Sequence, residues 1–331
     1  MKKIKFAVLG YGNIGKRHVH HILQHPFAEL IAVASLEKKP DELNCNYYQI
    51  LEDLLANEKD IDVINVCTPN FLHAEHCIKI LNQKIHAVCE KPMALSIQEC
   101  NAMIAAANEN KKTIFVVKQN RYNPPVQQVK KLLDEHILGK IFLVNINCFW
   151  NRNDFYYNDS DWRGKKINDG GCLFTQFSHF VDIQYYLFGK IKNSLGKIKN
   201  FQHPNIEIED SGSFVMENEC GAIINFNFST CSYEKNMEGA ITILAENGTV
   251  KIGGQYLNTI EYQHIKNVSL PEINISAKAN DYGLYQGSMS NHDKMIDNVV
   301  QHLNGNEKVM TNAYEGKDVV EIIEMMYTST I

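Results

Sequence analysis

The sequence predicts an α/β fold in which a doubly wound parallel sheet is followed by an α+β domain with an open antiparallel sheet. Three observations support this prediction. A glycine motif of the form G-x-G-x-x-G, at residues 10–15, stands between a strand-like segment and a helical segment. Continuous apolar segments then alternate with helical ones to about residue 120, which is typical of a parallel sheet covered on both faces. Beyond that point, strand-like segments follow one another across turn residues.

The glycine motif directly follows the apolar segment Ile4–Leu9 and directly precedes a helical segment. In this context Gly10 permits a tight turn, Gly12 permits close approach of the backbone to a pyrophosphate, and Gly15 permits close packing of the helix on the strand. The amides at the start of the helix would face the phosphates along the favourable end of the helix dipole. The segment therefore predicts a dinucleotide-binding site.

The remaining elements of the first domain are predicted from apolar runs bounded by polar or turn residues. Strands are expected at 30–34, 61–66, 86–89 and 114–117, and helices at 71–81 and 96–108. Pro124 and Pro125 stand just before a helical segment that runs to about residue 136, and they mark a junction between domains. The prediction is a dinucleotide-binding domain at 1–122 and a second domain at 123–331.

The second domain is predicted from short strands separated by turns. Strands are expected at 141–150, 213–216, 222–228, 241–245 and 249–252, and helices at 174–187, 293–303 and 314–327. Glu219–Gly221 and Asn247–Gly248 are turn sequences that favour antiparallel hairpins. Because an open sheet leaves one face to be covered, we expect a homo-oligomer, either a tetramer or a dimer.

Composition argues against several classes of function. The 331 residues suit two domains, and a net charge of −5 with scattered lysines argues against nucleic-acid binding. We expect neither a signal peptide nor a membrane span, because the apolar segments are short. Nine cysteines without a C-x-x-C pair indicate reduced thiols and a cytoplasmic protein. His18, His20 and His21 have no carboxylate or cysteine at ligand spacing, so we predict no metal site.

The residue that binds the adenosine ribose is normally acidic and lies about twenty positions after the glycine motif. Ser35 occupies this position and is followed by Glu37, Lys38 and Lys39. Two interpretations stay open at this point. A serine beside lysines would suit the 2′-phosphate of NADP, whereas Ser35 and Glu37 together would suit the ribose hydroxyls of NAD. We expect NAD.

Glu90, Lys91 and Pro92 follow a predicted strand, at the end where open α/β sheets bind ligands. Pro92 favours an extended backbone at Lys91 and so restricts the direction of its side chain. A lysine beside a cationic nicotinamide would have a lowered pKa, which suits proton transfer. Lys91 is therefore a candidate catalytic residue, although spacing alone fits a solvated lysine at a strand end equally well.

A second candidate lies in the helix predicted after Gly170 and Gly171. Thr175, His179 and Asp182 stand at i, i+4 and i+7 and would share one helix face. A histidine that is oriented by a carboxylate three residues later can act as a general base. The alternative is a histidine that is only hydrogen-bonded at a domain junction.

Together these motifs resemble the glucose–fructose oxidoreductase/inositol dehydrogenase (Gfo/Idh/MocA) family over essentially the whole chain. They occur in the family's order: Gly10–Gly15, Cys67–Asn70 with His73, Glu90–Pro92, and Gly170-Gly171 with His179 and Asp182. The resemblance implies a Rossmann domain followed by a domain with an open-faced antiparallel sheet. It also implies hydride transfer between NAD(P) and a sugar or cyclitol carbon, with Lys91 and His179 at the reacting hydroxyl.

Thr175 stands where many members of that family have an aspartate, and Gln176 follows it. In this pair the chain resembles the subgroup that oxidises C3 of UDP-N-acetyl-glucosaminuronate to a 3-keto sugar. An aminotransferase then converts the 3-keto sugar to a 3-amino sugar for bacterial surface polysaccharide. Three further segments resemble the same subgroup: 119–124, 161–164 and 287–294. The alternatives are a dehydrogenase of a free cyclitol or hexose and, outside enzymes, a non-catalytic NAD(P)-sensing regulator. Retention of both Lys91 and His179 argues against the regulator.

The resemblance implies two sets of binding residues. Cofactor contacts are implied for Gly10, Gly12, Asn13, Ile14, Gly15, Ser35, Thr68, Pro69, Asn70, His73, Glu90, Lys91, Gln119, Trp162 and Arg163. Substrate contacts are implied for Arg121, Tyr122, Asn123, Thr175, Gln176, Ser178, Ser290, Asn291 and His292. UDP and a uronate carry about three negative charges, so the substrate set should offer donors rather than acids. Two segments have other interpretations: 290–293 as a helix N-cap, and 162–163 as a packed surface corner.

Overall fold

Six parallel strands form the first sheet in the computed structural model, which describes residues 1–271, 279–281 and 286–331. The strands are β1 (Ile4–Leu9), β2 (Ala28–Ala34), β3 (Asn46–Tyr48), β4 (Val63–Val66), β5 (His86–Cys89) and β6 (Ile114–Val116). The helices between them are α1 (Asn13–Gln24), α2 (Leu51–Asn57), α3 (His73–Asn82) and α4 (Ile97–Asn110). The strand order is β3-β2-β1-β4-β5-β6, which is the order of a dinucleotide-binding sheet.

The register of this sheet aligns the ends of four strands. Leu9 pairs with Ala34 and with Val66, and Val66 pairs with Cys89. The residues that follow these ends therefore lie along one edge of the sheet: Gly10, Ser35, Cys67 and Glu90. Parallel pairing thus brings together the glycine loop and the predicted strand-end motifs, which are far apart in the sequence.

The second part of the chain begins with five helices and a run of strands. The helices are α5 (Pro124–Asp134), α6 (Asp154–Asn158), α7 (Lys166–Asp169), α8 (Cys172–Thr175) and α9 (Ser178–Phe188). The strands are β7 (Ile141–Phe149), β8 (Ile191–Lys199), β9 (Ser211–Asn218), β10 (Ile223–Ser229), β11 (Glu238–Ala245), β12 (Gly248–Gly253), β13 (Thr259–Ile265), β14 (Ala279–Asp281) and β15 (Gln286–Met289). The chain ends with α10 (His292–Leu303) and α11 (Ala313–Thr328). Pro124 and Pro125 lie in the first turn of α5 rather than ahead of it, where a missing N–H costs nothing.

The second sheet has seven strands in the order β13-β12-β11-β7-β10-β9-β8. The predicted hairpins, β9–β10 and β11–β12, are antiparallel as expected. One pair, β7 with β10, is parallel, so the sheet is mixed rather than purely antiparallel. The turn residues could not indicate this pair because they constrain only strands that are consecutive in the sequence.

One face of the second sheet is covered and the other is open. On the covered face Val144, Ile146 and Phe226 are completely buried. On the opposite face Leu195 and Val215, which are paired across β8 and β9, are each about half exposed. The predicted open sheet is therefore confirmed.

Contacts within the chain define two units, 1–118 with 292–320 and 119–291 with 321–331. The predicted boundary at 122/123 lies close to the first division, but residues 292–320 return to the first unit instead of belonging to the second. The reason is packing: α10 lies against α1, where His25 and Asp297 pair, and Asn312 bridges to Phe115 of β6. Periodicity within a segment does not reveal such a return.

All nine cysteines are free thiols. In the part of the chain that the structure describes, every helix is too short or too polar to cross a membrane.

Candidate active site

The glycine loop of the first unit has the shape that a pyrophosphate needs. A Cβ on Gly15 would lie 1.9 Å from the Gly10 carbonyl oxygen, so the helix packs on the loop more closely than any side chain permits. A Cβ on Gly12, in contrast, would have no atom within 4 Å. Gly12 is the N-cap of α1, which has neither a side-chain cap nor an acidic residue in its first turn. The open backbone and uncompensated amides fit an anion bound at this helix end.

Ser35 contacts the glycine loop through its side chain. Its Oγ accepts hydrogen bonds from the amides of Tyr11, at 3.2 Å, and Glu37, at 3.3 Å. The hydroxyl therefore supports the loop as well as standing at the position expected for ribose binding. Of the two lysines that follow, Lys39 donates to the Cys45 carbonyl oxygen at 2.7 Å.

The turn after β4 leads through a 3-10 segment, Asn70–Leu72, into α3. His73, predicted as a cofactor contact, is buried beneath this turn. Its ring nitrogens lie 2.7 Å from the Pro92 carbonyl oxygen and 2.9 Å from the Thr68 carbonyl oxygen. The Thr68 hydroxyl is in turn 3.1 Å from Nδ1 of His76. A direct contact of His73 with the cofactor stays a prediction.

Glu90 is buried and hydrogen-bonded on both carboxylate oxygens. His18 donates from Nε2 to Oε1 at 2.8 Å, and the Lys91 amide donates to Oε2 at 3.1 Å. Asn65 completes the network by donating to Nδ1 of His18 at 2.8 Å. Burial acts to raise the pKa of Glu90, but the hydrogen bond from His18 and the nearby His292 ring outweigh it and hold that pKa well below its usual range. Glu90 is therefore an anion that holds the backbone of Lys91.

His292, predicted as a substrate contact, is completely buried within the first unit. Its Nε2 lies 3.7 Å from Glu90, and its ring stacks on His21, whose pKa burial lowers to about 4. His292 thus lies beneath the strand-end motif rather than at the surface. Its contact with a substrate stays a prediction.

Clusters of potential metal ligands occur at two places among the described residues: His18–Glu90–His292 and His203–Asp210–Cys231. The sequence showed no carboxylate at ligand spacing from His18, but in space Glu90 supplies one. Hydrogen bonds already account for the contacts between Glu90 and His18. The predicted lack of a metal site stays a prediction.

In the second unit, Arg121 and Asp182 form a completely buried ion pair. Nε of Arg121 donates to Oδ2 at 3.0 Å and Nη2 donates to Oδ1 at 2.8 Å. Both side chains are at most 1% exposed. Asp182 therefore pairs with Arg121, whereas the sequence analysis assigned it to His179. Contact of Arg121 with a substrate stays a prediction.

The prediction of one continuous helix over 174–187 is wrong in one respect, because the structure has two helices with a break between them. α8 ends at Thr175, and α9 begins at Ser178. Phe177 occupies the break, with its ring packed 5.0 Å from that of Phe228 and 5.9 Å from that of Trp150. Since Thr175 and His179 lie on different helices, helical spacing does not place them on one face.

A buried carboxylate does accompany Thr175, but it comes from Asp169. The Thr175 hydroxyl donates to both the carbonyl and the carboxylate of Asp169. The other carboxylate oxygen accepts from the Gly164 amide at 2.8 Å. Asp169 is a site residue that was not predicted from the sequence; its position directly before Gly170-Gly171 was the available signal.

Gln176 contacts a buried arginine that the sequence analysis also missed. Nε of Arg152 donates to Gln176 Oε1 at 2.6 Å, and Gln176 Nε2 donates to the Tyr156 hydroxyl. The Arg152 guanidinium lies over the rings of Trp150, at 5.1 Å, and Tyr156, at 5.4 Å. Arg152 lies two residues after the predicted strand at 141–150, which is a weak signal by itself.

Several predicted residues of the second unit form one hydrogen-bonded group. Gln119 Nε2 donates to the Ser288 hydroxyl at 2.8 Å. Asn291 Nδ2 donates to Asn123 Oδ1 at 2.7 Å and to the Gln119 carbonyl oxygen at 3.2 Å. Asn291 thus donates through its side-chain Nδ2, and the structure brings together residues 119, 123 and 291 from three segments.

Other residues predicted from the sequence also belong to the second unit. Ser178 and His179 begin α9 and are buried, and Tyr122 and Ser290 are half-buried. Arg163 packs against Tyr156, 4.5 Å from its ring, which agrees with a packed surface corner. Cofactor contact by Arg163 and its neighbour Trp162 stays a prediction.

The loop that precedes α8 rests on a buried carboxyl group. Glu209 Oε1 accepts from the Cys172 amide at 2.8 Å and from the Tyr327 hydroxyl at 2.6 Å. A Cβ on Gly171 would lie 2.1 Å from that hydroxyl, so the loop needs a glycine. Burial raises the pKa of Glu209 to about 7.

Two family models match the chain. The oxidoreductase family model with an NAD-binding Rossmann fold matches residues 4–118, and the GFO/IDH/MocA C-terminal domain model matches residues 126–251. These matches cover the whole first sheet and, in the second sheet, the strands from β7 into β12. The glycine loop described above fits the NAD assigned by the first model.

Solved structures and a curated relative extend this likeness. The WlbA dehydrogenase of Bordetella pertussis, in complex with NADH and UDP-GlcNAcA, is 32% identical, with a TM-score of 0.87 over 99% of this chain and 96% of that one. The WlbA dehydrogenase of Chromobacterium violaceum, with the same ligands, is 32% identical with a TM-score of 0.88 over 99% and 94%. The 2,7-anhydro-N-acetylneuraminate hydratase of Escherichia coli K12 is 29% identical over 76% of this chain and 71% of its own.

This chain therefore belongs to the Gfo/Idh/MocA oxidoreductase family. It is an NAD-dependent oxidoreductase of the sugar and cyclitol dehydrogenase type, with a Rossmann domain and a second domain built on a mixed sheet.

Substitution of the two glycines separates cofactor binding from folding. Gly12→Ala should keep the free energy of unfolding within about 0.5 kcal/mol of wild type, since its Cβ meets nothing. It should nevertheless raise the Kd for NADH at least about tenfold, because the methyl group occupies the approach to the pyrophosphate. Gly15→Ala should lower the unfolding temperature as well. NADH fluorescence titration and thermal unfolding measure the two effects; normal NADH affinity in Gly12→Ala would contradict the site.

Glu209 should make stability depend on pH. Its pKa is near 4.5 when unburied and about 7 in the fold, so the folded chain binds more protons between these values and stability falls as pH rises. The difference corresponds to about 3 kcal/mol. Glu209→Gln should flatten the urea-midpoint profile between about pH 5 and 7, with exposed Glu207→Gln as the control. If Glu209→Gln leaves the slope of this profile unchanged, ionisation of Glu209 in the folded chain costs little stability, and the prediction is wrong.

Proposed function

We propose that this enzyme oxidises C3 of UDP-N-acetyl-glucosaminuronate to the 3-keto sugar with NAD as the oxidant. The observation that supports this most strongly is the 32% identity, over 99% of the chain, to two dehydrogenases whose structures contain NADH and UDP-GlcNAcA. Thr175 followed by Gln176 and the segments at 119–124, 161–164 and 287–294 support the same subgroup.

The chemistry of the second unit is compatible with an anionic sugar nucleotide. The residues proposed for substrate binding include amides and hydroxyls, such as those of Asn123, Gln176 and Ser178, which supply donors. Of the nearby acids, Asp182 is neutralised by the Arg121 guanidinium, and Asp169 accepts a hydrogen bond from the Thr175 hydroxyl. Repulsion of a substrate with about three negative charges is thereby reduced.

We assign the proton chemistry to Lys91 and His179. NAD, when bound, supplies the hydride acceptor. His179 accepts the proton of the 3-hydroxyl, and Lys91 donates a hydrogen bond to that oxygen and stabilises its developing negative charge. The residue types also permit the reverse assignment, with Lys91 as the base. Thr175 has an indirect part, because its hydroxyl contacts Asp169.

A second candidate function is a dehydrogenase of a free sugar derivative. The observation in its favour is the hydratase relative, whose named substrate, 2,7-anhydro-N-acetylneuraminate, is not a nucleotide sugar. The rival outside enzymes, an NAD-sensing regulator, needs neither Lys91 nor His179 and has no observation in its favour.

The setting of the reaction also belongs to the proposal. A 3-keto sugar nucleotide suits the synthesis of bacterial surface polysaccharide, and free thiols suit the cytoplasm. A homo-oligomer would cover the open face of the second sheet, where Leu195 and Val215 are about half exposed.

Nicotinamide fluorescence should identify the substrate. We expect reduction of the cofactor with UDP-N-acetyl-glucosaminuronate and none with UDP-N-acetylglucosamine, which lacks the carboxylate. A 2-keto acid is added as acceptor so that tightly bound cofactor also turns over. Turnover with free hexoses or cyclitols alone would favour the second candidate, and silence with every sugar would favour the regulator.

Removal of the proposed acid–base groups should strongly lower turnover, and His179→Ala, which lies outside the predicted cofactor contacts, should also keep normal NADH binding. Lys91→Ala and His179→Ala should each lower kcat by about two orders of magnitude or more. Thr175→Ala should have a smaller effect, because the hydroxyl supports a carboxylate and does not itself move a proton. Stopped-flow measurement of nicotinamide reduction gives the rates, with the Kd for NADH as the control. Near-normal rates in both alanine variants would exclude the assignment.

A further inference from the structure

His73 is the first residue of α3, and its side chain is 1% exposed. Its Nδ1 lies 2.7 Å from the Pro92 carbonyl oxygen, and its Nε2 lies 2.9 Å from the Thr68 carbonyl oxygen. A carbonyl oxygen only accepts hydrogen bonds, and a neutral imidazole has one N–H. Both contacts are therefore hydrogen bonds only when both ring nitrogens are protonated.

We propose that His73 is a buried imidazolium cation that links the turn after β4 to the turn after β5 and thereby positions Lys91. Thr68 and Pro92 belong to turns that follow neighbouring parallel strands, and Pro92 directly follows Lys91. His73 is thus a positioning residue that acts through the backbone. The importance of Lys91 rests on the proposed function, whereas the protonation of His73 does not.

The groups that face His73 are compatible with the charge. Burial acts to lower its pKa, whereas the hydrogen bonds to the Pro92 and Thr68 carbonyl oxygens and the contact with the Cys89 side chain act to raise it, and the pKa lies above its usual value. The Cys89 sulfur lies 3.3 Å from the Glu90 carbonyl oxygen and 3.4 Å from that of Met93. Burial raises the pKa of Cys89 well above its usual range, so its thiol is neutral and supplies no charge. The two carbonyl oxygens are therefore the groups that favour the imidazolium. On α3 the neighbouring titratable groups are His76, whose pKa burial lowers, and Cys77, which interacts with Cys89.

The sign of the pH dependence follows from the raised pKa. The stabilisation by the cation is fully present below the unfolded pKa of about 6.5 and is lost as pH rises through the higher folded value. Deprotonation leaves one of the two buried carbonyl oxygens without its donor. One of the two turns then loses its hydrogen bond to His73. Lys91 therefore loses its fixed position at pH values above the pKa of His73.

The protonation state can be measured in the wild-type protein. Histidines labelled with ¹⁵N in the ring report which nitrogens are protonated, and His73→Gln and His76→Gln assign the two signals. At about pH 7 we expect both nitrogens of His73 to be protonated and only one of His76, which lies one turn along the same helix. Because cofactor binding and the cation should favour the same arrangement, saturating NADH should raise the pKa of His73.

Kinetics test the positioning role. His73→Gln keeps one donor and removes the charge, so kcat should fall at least about tenfold and lose its alkaline dependence, while KM for the sugar nucleotide stays unchanged. His86→Gln, at the opposite end of β5, is the matched control and should leave kcat unchanged.

Two outcomes would overturn the inference: a singly protonated His73 at neutral pH, or a pKa that NADH does not move. A His73→Gln enzyme with wild-type kcat and pH profile would also overturn it. If His73→Gln does not fold, the wild-type titration with and without NADH decides. If no sugar is oxidised, the proposed function fails, and the same titration still tests the cation.

Discussion

The organisation of the first unit depends on the register of its parallel sheet. Leu9, Ala34, Val66 and Cys89 are aligned across four strands, and each backbone continues from its strand into a turn at the same edge. Hydrogen bonds extend this alignment by one residue, since the amides of Gly10, Cys67 and Glu90 donate to the carbonyls of the neighbouring strand ends. A shift of one residue in any strand would send its side chains to the opposite face of the sheet and move the following turn out of line with the others.

Buried polar groups then hold these turns in place. Glu90 is bonded to His18 and to the Lys91 amide, Ser35 to the Tyr11 amide, and His73 to the carbonyls of two turns. Except for the Glu90–Lys91 contact within one turn, each of these contacts connects residues that belong to different elements or turns. Because a buried polar group is costly without its partner, these bonds favour one arrangement of the site over its alternatives.

In the second unit buried polar groups also hold the backbone in place, and here they include a pair of charged side chains. Arg121 and Asp182 bury a complete ion pair, and Asp169 holds Thr175 where the helix breaks. Breaking such a pair by removal of one partner typically costs about 3–5 kcal/mol, because the other charge is left buried. His179 and Asp182 lie on the same helix, one turn apart. The ion pair of Asp182 therefore helps, together with apolar packing, to fix the position of the helix turn that carries His179. His179, one of the two residues proposed for the acid–base chemistry, thus lies on a helix joined to Arg121 by this ion pair.

Local patterns in the sequence determined the Rossmann sheet, the glycine loop, the strand-end motifs and the antiparallel hairpins, because each depends on residues adjacent in the chain. The same patterns missed β8 and β13, which are edge strands with many polar residues, and Gly196 in β8 further weakens the β signal where the Phe214 ring packs against it. Only the tertiary structure decided that β7 and β10 are parallel, that 292–320 returns to the first unit, and that Asp182 pairs with Arg121. These features join residues remote in sequence, and their free energy comes from packing and buried charge that no local periodicity records.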